Sequence, residues 1–270
     1  MLRSGIAAFC FLASSCSHRP SGRVYRQTRM DTAIAVPRPA PDAEELYRRW
    51  IQFLDDEFTR HQSAERRAEI VRDQLYQLYL GRPHAPRSSV TLTSELPSTV
   101  LELSLDPNNS TLDAESFSGL DQKLYQPRKP LLWFWKMFDR SPIGLNLWLG
   151  VRFRAMLGRH IFASIGKGVK FHHAVELTVG YNLNVGDGVV VRQGVLLNDR
   201  GGISIGAGAI VGSYARVFSH VHDTENYERV TNRPTYIGAG ARVASHYAVM
   251  GGEQVPEGVT LGHFPMDEHL

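Results

Sequence analysis

The sequence predicts a mainly β protein in which a C-terminal parallel β-helix follows an α-helical N-terminal extension. Two observations carry this expectation. From Ile165 onward one apolar residue recurs at every sixth position, with few interruptions, to Leu261. Ahead of that ladder, between Pro41 and Gly81, apolar residues instead fall at helical spacing.

The ladder runs Ile165, Phe171, Val179, Val185, Val191, Leu197, Ile205, Val211, Val217, Ile237, Val243, Val249, Val255, Leu261, with two steps of eight and one of twenty. A six-residue unit is one short strand and a turn, and three units close a triangular coil whose neighbours stack by parallel pairing. One coil cannot bury its inner face, so the array must be continuous. Glycine follows many ladder residues, as at Gly166, Gly186, Gly206 and Gly238, where a tight corner favours positive φ. The step of twenty, Val217 to Ile237, is one repeat plus a stretch that leaves the coil. The heptapeptide VFSHVHD, residues 217 to 223, runs straight into that excursion. The β-helix is assigned to residues 163–270.

The rest divides by composition. Residues 1–37 read as a leader or a disordered N-terminus: MLRSGIAAFCFLASSC has one early arginine and a short apolar run. Translation from Met30 is the rival reading. Residues 38–83 are the helical region. Its first helix has Asp42 and Glu45 in a capping-box pattern and Leu46, Tyr47, Trp50, Phe53, Leu54 and Phe58 at helical spacing. Its second starts at Ser63 and stops at Gly81, before Pro83. Residues 84–127 are rich in Ser, Thr and Pro and read as an extended or partly disordered connector. Residues 128–162 form a basic aromatic amphipathic segment with three tryptophans. From Arg128 to Lys170 there are nine Lys or Arg against one acid, Asp139. Such a segment can lie on an anionic membrane surface; packing against the next domain is the favoured reading, because Pro142 and Gly144 break it into pieces.

The net charge of +3 is too small to argue for nucleic acid, and the sequence carries no motif of a nucleic-acid reader. Both cysteines, Cys10 and Cys16, precede the folded body, which leaves it without a disulfide framework or a thiolate metal site. A cytoplasmic location is the expectation, with association at a membrane as its variant.

The ladder, the excursion and the phrases ISIGAGAIVGSYARVFSHVHD and YIGAGARVASHYAVMGG resemble the hexapeptide-repeat acyltransferases, in the branch of sugar O-acetyltransferases that contains the maltose and galactoside enzymes and polysaccharide-modifying relatives. The resemblance covers about residues 160–262. It implies a left-handed parallel β-helix, a homotrimer with sites between subunits, acetyl-CoA as donor, a saccharide hydroxyl as acceptor, and no metal.

It also implies site residues. Counting from Ile205, the catalytic histidine of the family falls on His222, whose neutral imidazole takes the acceptor's proton as its oxygen attacks the thioester. Ser245 matches the position whose backbone amide serves as oxyanion donor. The acceptor side is assigned to Asp199, His220, Arg192 and Asp223, and the donor side to Arg242, Ala244 and Gly251. Asp223, Asp199 or a backbone carbonyl is expected to hold the imidazole tautomer. Arg192 stands where relatives have an asparagine and Arg242 where they have a tryptophan. The C-terminus EGVTLGHFPMDEHL is expected to leave the last coil poorly capped. Two alternatives use the same fold: a carbonic-anhydrase-like zinc enzyme with His220, His222 and His246 as ligands, and a non-catalytic scaffold.

Overall fold

The computed structural model describes residues 37–85, 96–226 and 228–262, all within one compact unit. The leader expected at the N-terminus and the capping of the last coil lie outside the described residues.

Six α-helices precede the strands: α1 (Pro41–Arg60), α2 (Ala64–Leu80), α3 (Leu96–Ser104), α4 (Gln122–Tyr125), α5 (Lys129–Arg140) and α6 (Leu147–Ile161). The limits of α2 are the expected ones. Ser63 accepts a hydrogen bond from the Arg66 amide, and Gly81 closes the helix in the left-handed region at φ 65°. The capping box expected at α1 is absent. Ala40 is the N-cap, Pro41 fills the first helical position, and Asp42 therefore lies inside the helix.

The connector expected over 84–127 is also corrected, for its described part. Residues 96–125 form α3, two 3-10 turns and α4, and they bury Leu105, Leu112, Ala114 and Tyr125. On α3 the buried residues are Thr99 and Glu102, with Glu102 paired to Arg82, while Leu96, Val100 and Leu103 face outward. An inward polar face shows no apolar periodicity in the sequence.

The basic aromatic segment packs inward. Trp135 is 1% and Trp148 3% exposed, and the Trp135 indole N–H donates to the Val175 carbonyl at 2.8 Å. Phe138, Phe153 and Trp50 stack across α1, α5 and α6. This helical core continues into the β-helix through Phe162 and Phe171, both of which meet Trp135. No helix among the described residues is long and apolar enough to cross a membrane.

The β-helix has three faces. Face one stacks β1 (Ser164–Ile165), β4 (Leu183–Val185), β7 (Ile203–Ile205), β12 (Thr235–Ile237) and β15 (Gln254–Val255). Face two stacks β2 (Lys170–Phe171), β5 (Val190–Val191), β8 (Ile210–Val211), β13 (Arg242–Val243) and β16 (Thr260–Leu261). Face three stacks β3 (Glu176–Leu177), β6 (Leu196–Asn198), β9 (Arg216–Phe218) and β14 (Ala248–Val249). Pairing is parallel throughout the three faces, and the chain makes nearly five coils.

The ladder holds in register with two corrections. Gly166, Gly186, Gly206 and Gly238 do not have the positive φ expected of them; they are glycines because a Cβ there would lie 2.4 to 2.6 Å from the backbone of the next coil. Leu177, rather than Val179, pairs with Leu197 as the inward residue of face three. The first step of eight is therefore 177 to 185, and the second, 197 to 205, repeats it one coil later. Both surplus pairs of residues, and the long excursion after Val217, thus fall at the same corner, between faces three and one. The excursion itself is an antiparallel hairpin of β10 (His220–His222) and β11 (Val230–Asn232).

Candidate functional site

The nine residues expected at the site separate into two groups. Asp199, His220, His222, Asp223 and Gly251 gather at the hairpin corner, between faces three and one. Arg192, Arg242, Ala244 and Ser245 lie on face two or at the corner between faces two and three. β14 separates the groups within one coil, with Ser245 before it and Gly251 after it, six residue steps or roughly 20 Å of extended chain apart. One chain therefore does not bring Ser245 to His222.

At the hairpin corner the two imidazoles stand edge to face with ring centroids 5.2 Å apart, and Phe218 lies edge-on to His220 at 6.1 Å. Strand alternation puts both rings on the same side of β10. Burial pushes the His220 pKa below its ordinary 6.5, and the neighbouring His222 and Arg200 act in the same direction. These influences favour the neutral imidazole at His220. Arg200 is anchored from the helical region, over the Phe117 ring at 4.6 Å and donating to the Ser118 carbonyl at 3.2 Å.

The two aspartates are frame residues. Asp223 Oδ1 accepts from the amides of Glu225 and Asn226, which shapes the hairpin loop and keeps the carboxyl below its usual range. Asp199 is fully buried and accepts from the Thr178 and Val179 amides at 3.2 and 2.9 Å. An acceptor saccharide cannot reach it, so the expected binding role does not fit its position. Burial raises the Asp199 pKa from 3.8 to about 6. A folded-state value above the unfolded one means that the native state holds the extra proton, so stability falls as pH rises between about 4 and 6. Asp199→Asn, which keeps the acceptor oxygen, is expected to flatten that fall; denaturation midpoints measured from pH 4 to 7 read it directly.

Three buried polar atoms without a hydrogen-bond partner among the described residues belong to this corner: Asn198 Oδ1, Asp199 Oδ2 and His220 Nδ1. Native interiors leave few such atoms. Asn198, at the end of β6, had no signal in the sequence, because its Cα pairing with Phe218 exists only once the coils stack.

At the other corner the chain turns through Ser245 and His246. The Ala244 and His246 amides donate to Leu261 and Ser213 at 2.8 and 2.9 Å, whereas the amide of Ser245, an exposed residue, donates to none of the described residues. Tyr214 and His246, both in the left-handed region at φ 60° and 62°, stack their rings at 5.2 Å beside it. Arg242 is exposed on face two; Ala244 is buried at 1%.

No family model matches the chain. Over 113 residues it is 32% identical to a putative colanic acid biosynthesis acetyltransferase, WcaF, of Escherichia coli K12, and equally to its counterpart in Shigella flexneri. The match takes in 41% of this chain and 62% of the relative, so the chain spans less than two thirds of the curated relatives it matches. The chain resembles the hexapeptide-repeat sugar acetyltransferases. Among solved structures, a hexapeptide-repeat acetyltransferase of Vibrio cholerae complexed with acetyl coenzyme A is 16% identical, with 59% of this chain and 94% of that one covered at a TM-score of 0.38. The N-acyltransferase AntD of Bacillus cereus, complexed with dTDP-4-amino-4,6-dideoxyglucose and coenzyme A, is 15% identical, with 40% and 74% covered at a TM-score of 0.35.

Within this hexapeptide-repeat fold the three-histidine zinc arrangement does not form in one chain. His246 is stacked on Tyr214 at one corner, and His220 and His222 stand at another. Among the described residues no three His, Cys, Asp or Glu side chains are grouped to hold a metal ion.

Proposed function

We propose that the protein transfers the acetyl group of acetyl-CoA to a hydroxyl of a saccharide or cell-envelope glycan, and that it works as a homotrimer. The observation that carries the reading is the pair of imidazoles on a hairpin fixed to the corner of a β-helix whose sequence is similar to a putative colanic acid biosynthesis acetyltransferase.

The chemistry follows from the two corners. His222, in its neutral form, accepts the proton of the acceptor hydroxyl while that oxygen attacks the thioester carbonyl. The uncommitted Ser245 amide supplies a donor of the kind a tetrahedral oxyanion needs, already oriented by its neighbours' bonds to Ser213 and Leu261. Collapse expels the CoA thiolate, which takes the proton back from the imidazolium, so no acyl-enzyme is required. Arg242, exposed on face two, supplies a cation for a donor phosphate. Because Ser245 and His222 lie at different corners, the reading requires the corner of one chain to meet the hairpin of the next, which a closed ring of three copies provides.

Thiol release from acetyl-CoA with a panel of hydroxylated saccharides tests the activity. Acceptor-dependent release is expected. Release that never exceeds background hydrolysis would replace this reading with a scaffold, and stoichiometric zinc that disappears in His246→Ala would replace it with a metal hydrolase or hydratase.

A further inference from the structure

We infer that Ser219 and Thr235 are positioning residues: two buried hydroxyls that clasp the root of the hairpin to the coils on either side and so fix where His220 and His222 stand. Only the kinetic part of this inference rests on the acetyl-transfer reading.

Both side chains are sealed from solvent at 0% exposure, and both are fully used. The Ser219 hydroxyl donates to the Asn198 carbonyl at 2.6 Å and accepts from the Gly201 amide at 2.8 Å, which ties the outgoing leg to the coil beneath. The Thr235 hydroxyl donates to the Phe218 carbonyl at 2.6 Å and accepts from the Gly252 amide at 3.1 Å, which ties the returning leg to the outgoing one and to the coil above. The Arg233 amide donates to the Ser219 carbonyl at 2.8 Å and closes the root between them.

Two glycines make the approach close enough for this clasp. A Cβ on Gly201 would lie 1.9 Å from the Ser219 carbonyl oxygen, and one on Gly251 would lie 2.5 to 2.7 Å from the His220 backbone. His220 is therefore gripped from above while Ser219 is gripped from below. Gly251, assigned from the sequence to the donor, sits here because the hairpin needs the space.

A hairpin outside the repeat has no parallel neighbour to align it, so its angle depends on these few bonds. A general base must be held within a fraction of an ångström of productive geometry, and a misplacement of about 1 Å costs roughly 100-fold. Hydroxyls that served stability alone would affect folding and leave the kinetics of the folded protein unchanged.

The test uses Ser219→Ala and the near-isosteric Thr235→Val, with Thr235→Ser as the conservative variant. Each of the first two is expected to lower kcat roughly 10–100-fold with the KM for acetyl-CoA within about twofold. Amide hydrogen exchange in residues 220–222 and 230–232 should accelerate while exchange in β13 and β14 stays as in the parent. Thr235→Ser should restore both. Exchange is read whether or not the chain transfers acetyl groups, so failure of the activity and failure of the clasp give different results. Unchanged hairpin exchange in both variants, or a Thr235→Ser protein as impaired as Thr235→Val, overturns the inference.

Discussion

His222→Ala is expected to reduce acetyl transfer by at least about 100-fold, the lower end of what a positioned general base contributes, while His220→Ala keeps a measurable part of the activity. The two imidazoles share one side of β10 and stand 5.2 Å apart, so either could face an acceptor. Their surroundings distinguish them. His220 lies at the hairpin root with its Nδ1 buried and its backbone against Gly251, whereas His222 lies two residues further out along β10. Removing His220 alters the packing against Phe218 and leaves His222 in place; removing His222 takes away the proposed proton acceptor. Steady-state rates of thiol release for both variants, corrected for folded fraction, check this. Equal loss from both, or loss from neither, would overturn the assignment of the base.

Asp139→Ala is expected to cost about 3–5 kcal/mol of stability, the usual penalty for stranding one member of a buried ion pair. Arg154 is 1% exposed and paired with Asp139 Oδ1. Its guanidinium also donates to the Gly144 carbonyl at 2.9 Å and the Phe171 carbonyl at 3.3 Å, and Asp139 Oδ2 accepts from the Ala174 amide at 2.8 Å. One pair thus joins α5, α6, the turn between them and the first coil of the β-helix. Burial pushes the Asp139 pKa up and the Arg154 pKa down, so the pair exists against a large desolvation cost. Replacing both partners together, as Asp139→Leu with Arg154→Met, should therefore recover much of the loss. Urea midpoints for the single and double variants decide it; a single variant within about 1 kcal/mol of the parent would mean that the helical region docks by apolar packing alone.

The β-helix was legible because its rule is local. Each coil repeats the same inward position, so Val185, Val191, Leu197, Ile205, Val211 and Val217 announce the fold without reference to anything distant in sequence. The sequence does not show whether the two extra residues fall before or after face three, and only the pairing of Leu177 with Leu197 reveals the order. The helices α1 and α2 were equally local, with a serine and a glycine marking the ends of α2. Residues 96–125 were not, because α3 turns Thr99 and Glu102 inward and its leucines outward, which reverses the signal that a periodicity search relies on.

The site was legible as a set of residues but not as a place. Sequence pattern alone picked out the excursion after Val217 and the two histidines at its start, since an interruption in a strict repeat is visible wherever it falls. It could not tell that Asp199 is sealed in the interior, that Asp223 spends a carboxylate oxygen on its own loop, or that Gly251 makes room for the hairpin. Nor could it give weight to Ser219 and Thr235, whose hydroxyls find their partners 18 to 21 and 15 to 17 residues away. Repeat period is a property of neighbours along the chain, and it determined the architecture. Which groups are buried, which face each other and which stand at opposite corners depend on how successive coils stack, and that only the tertiary structure decided.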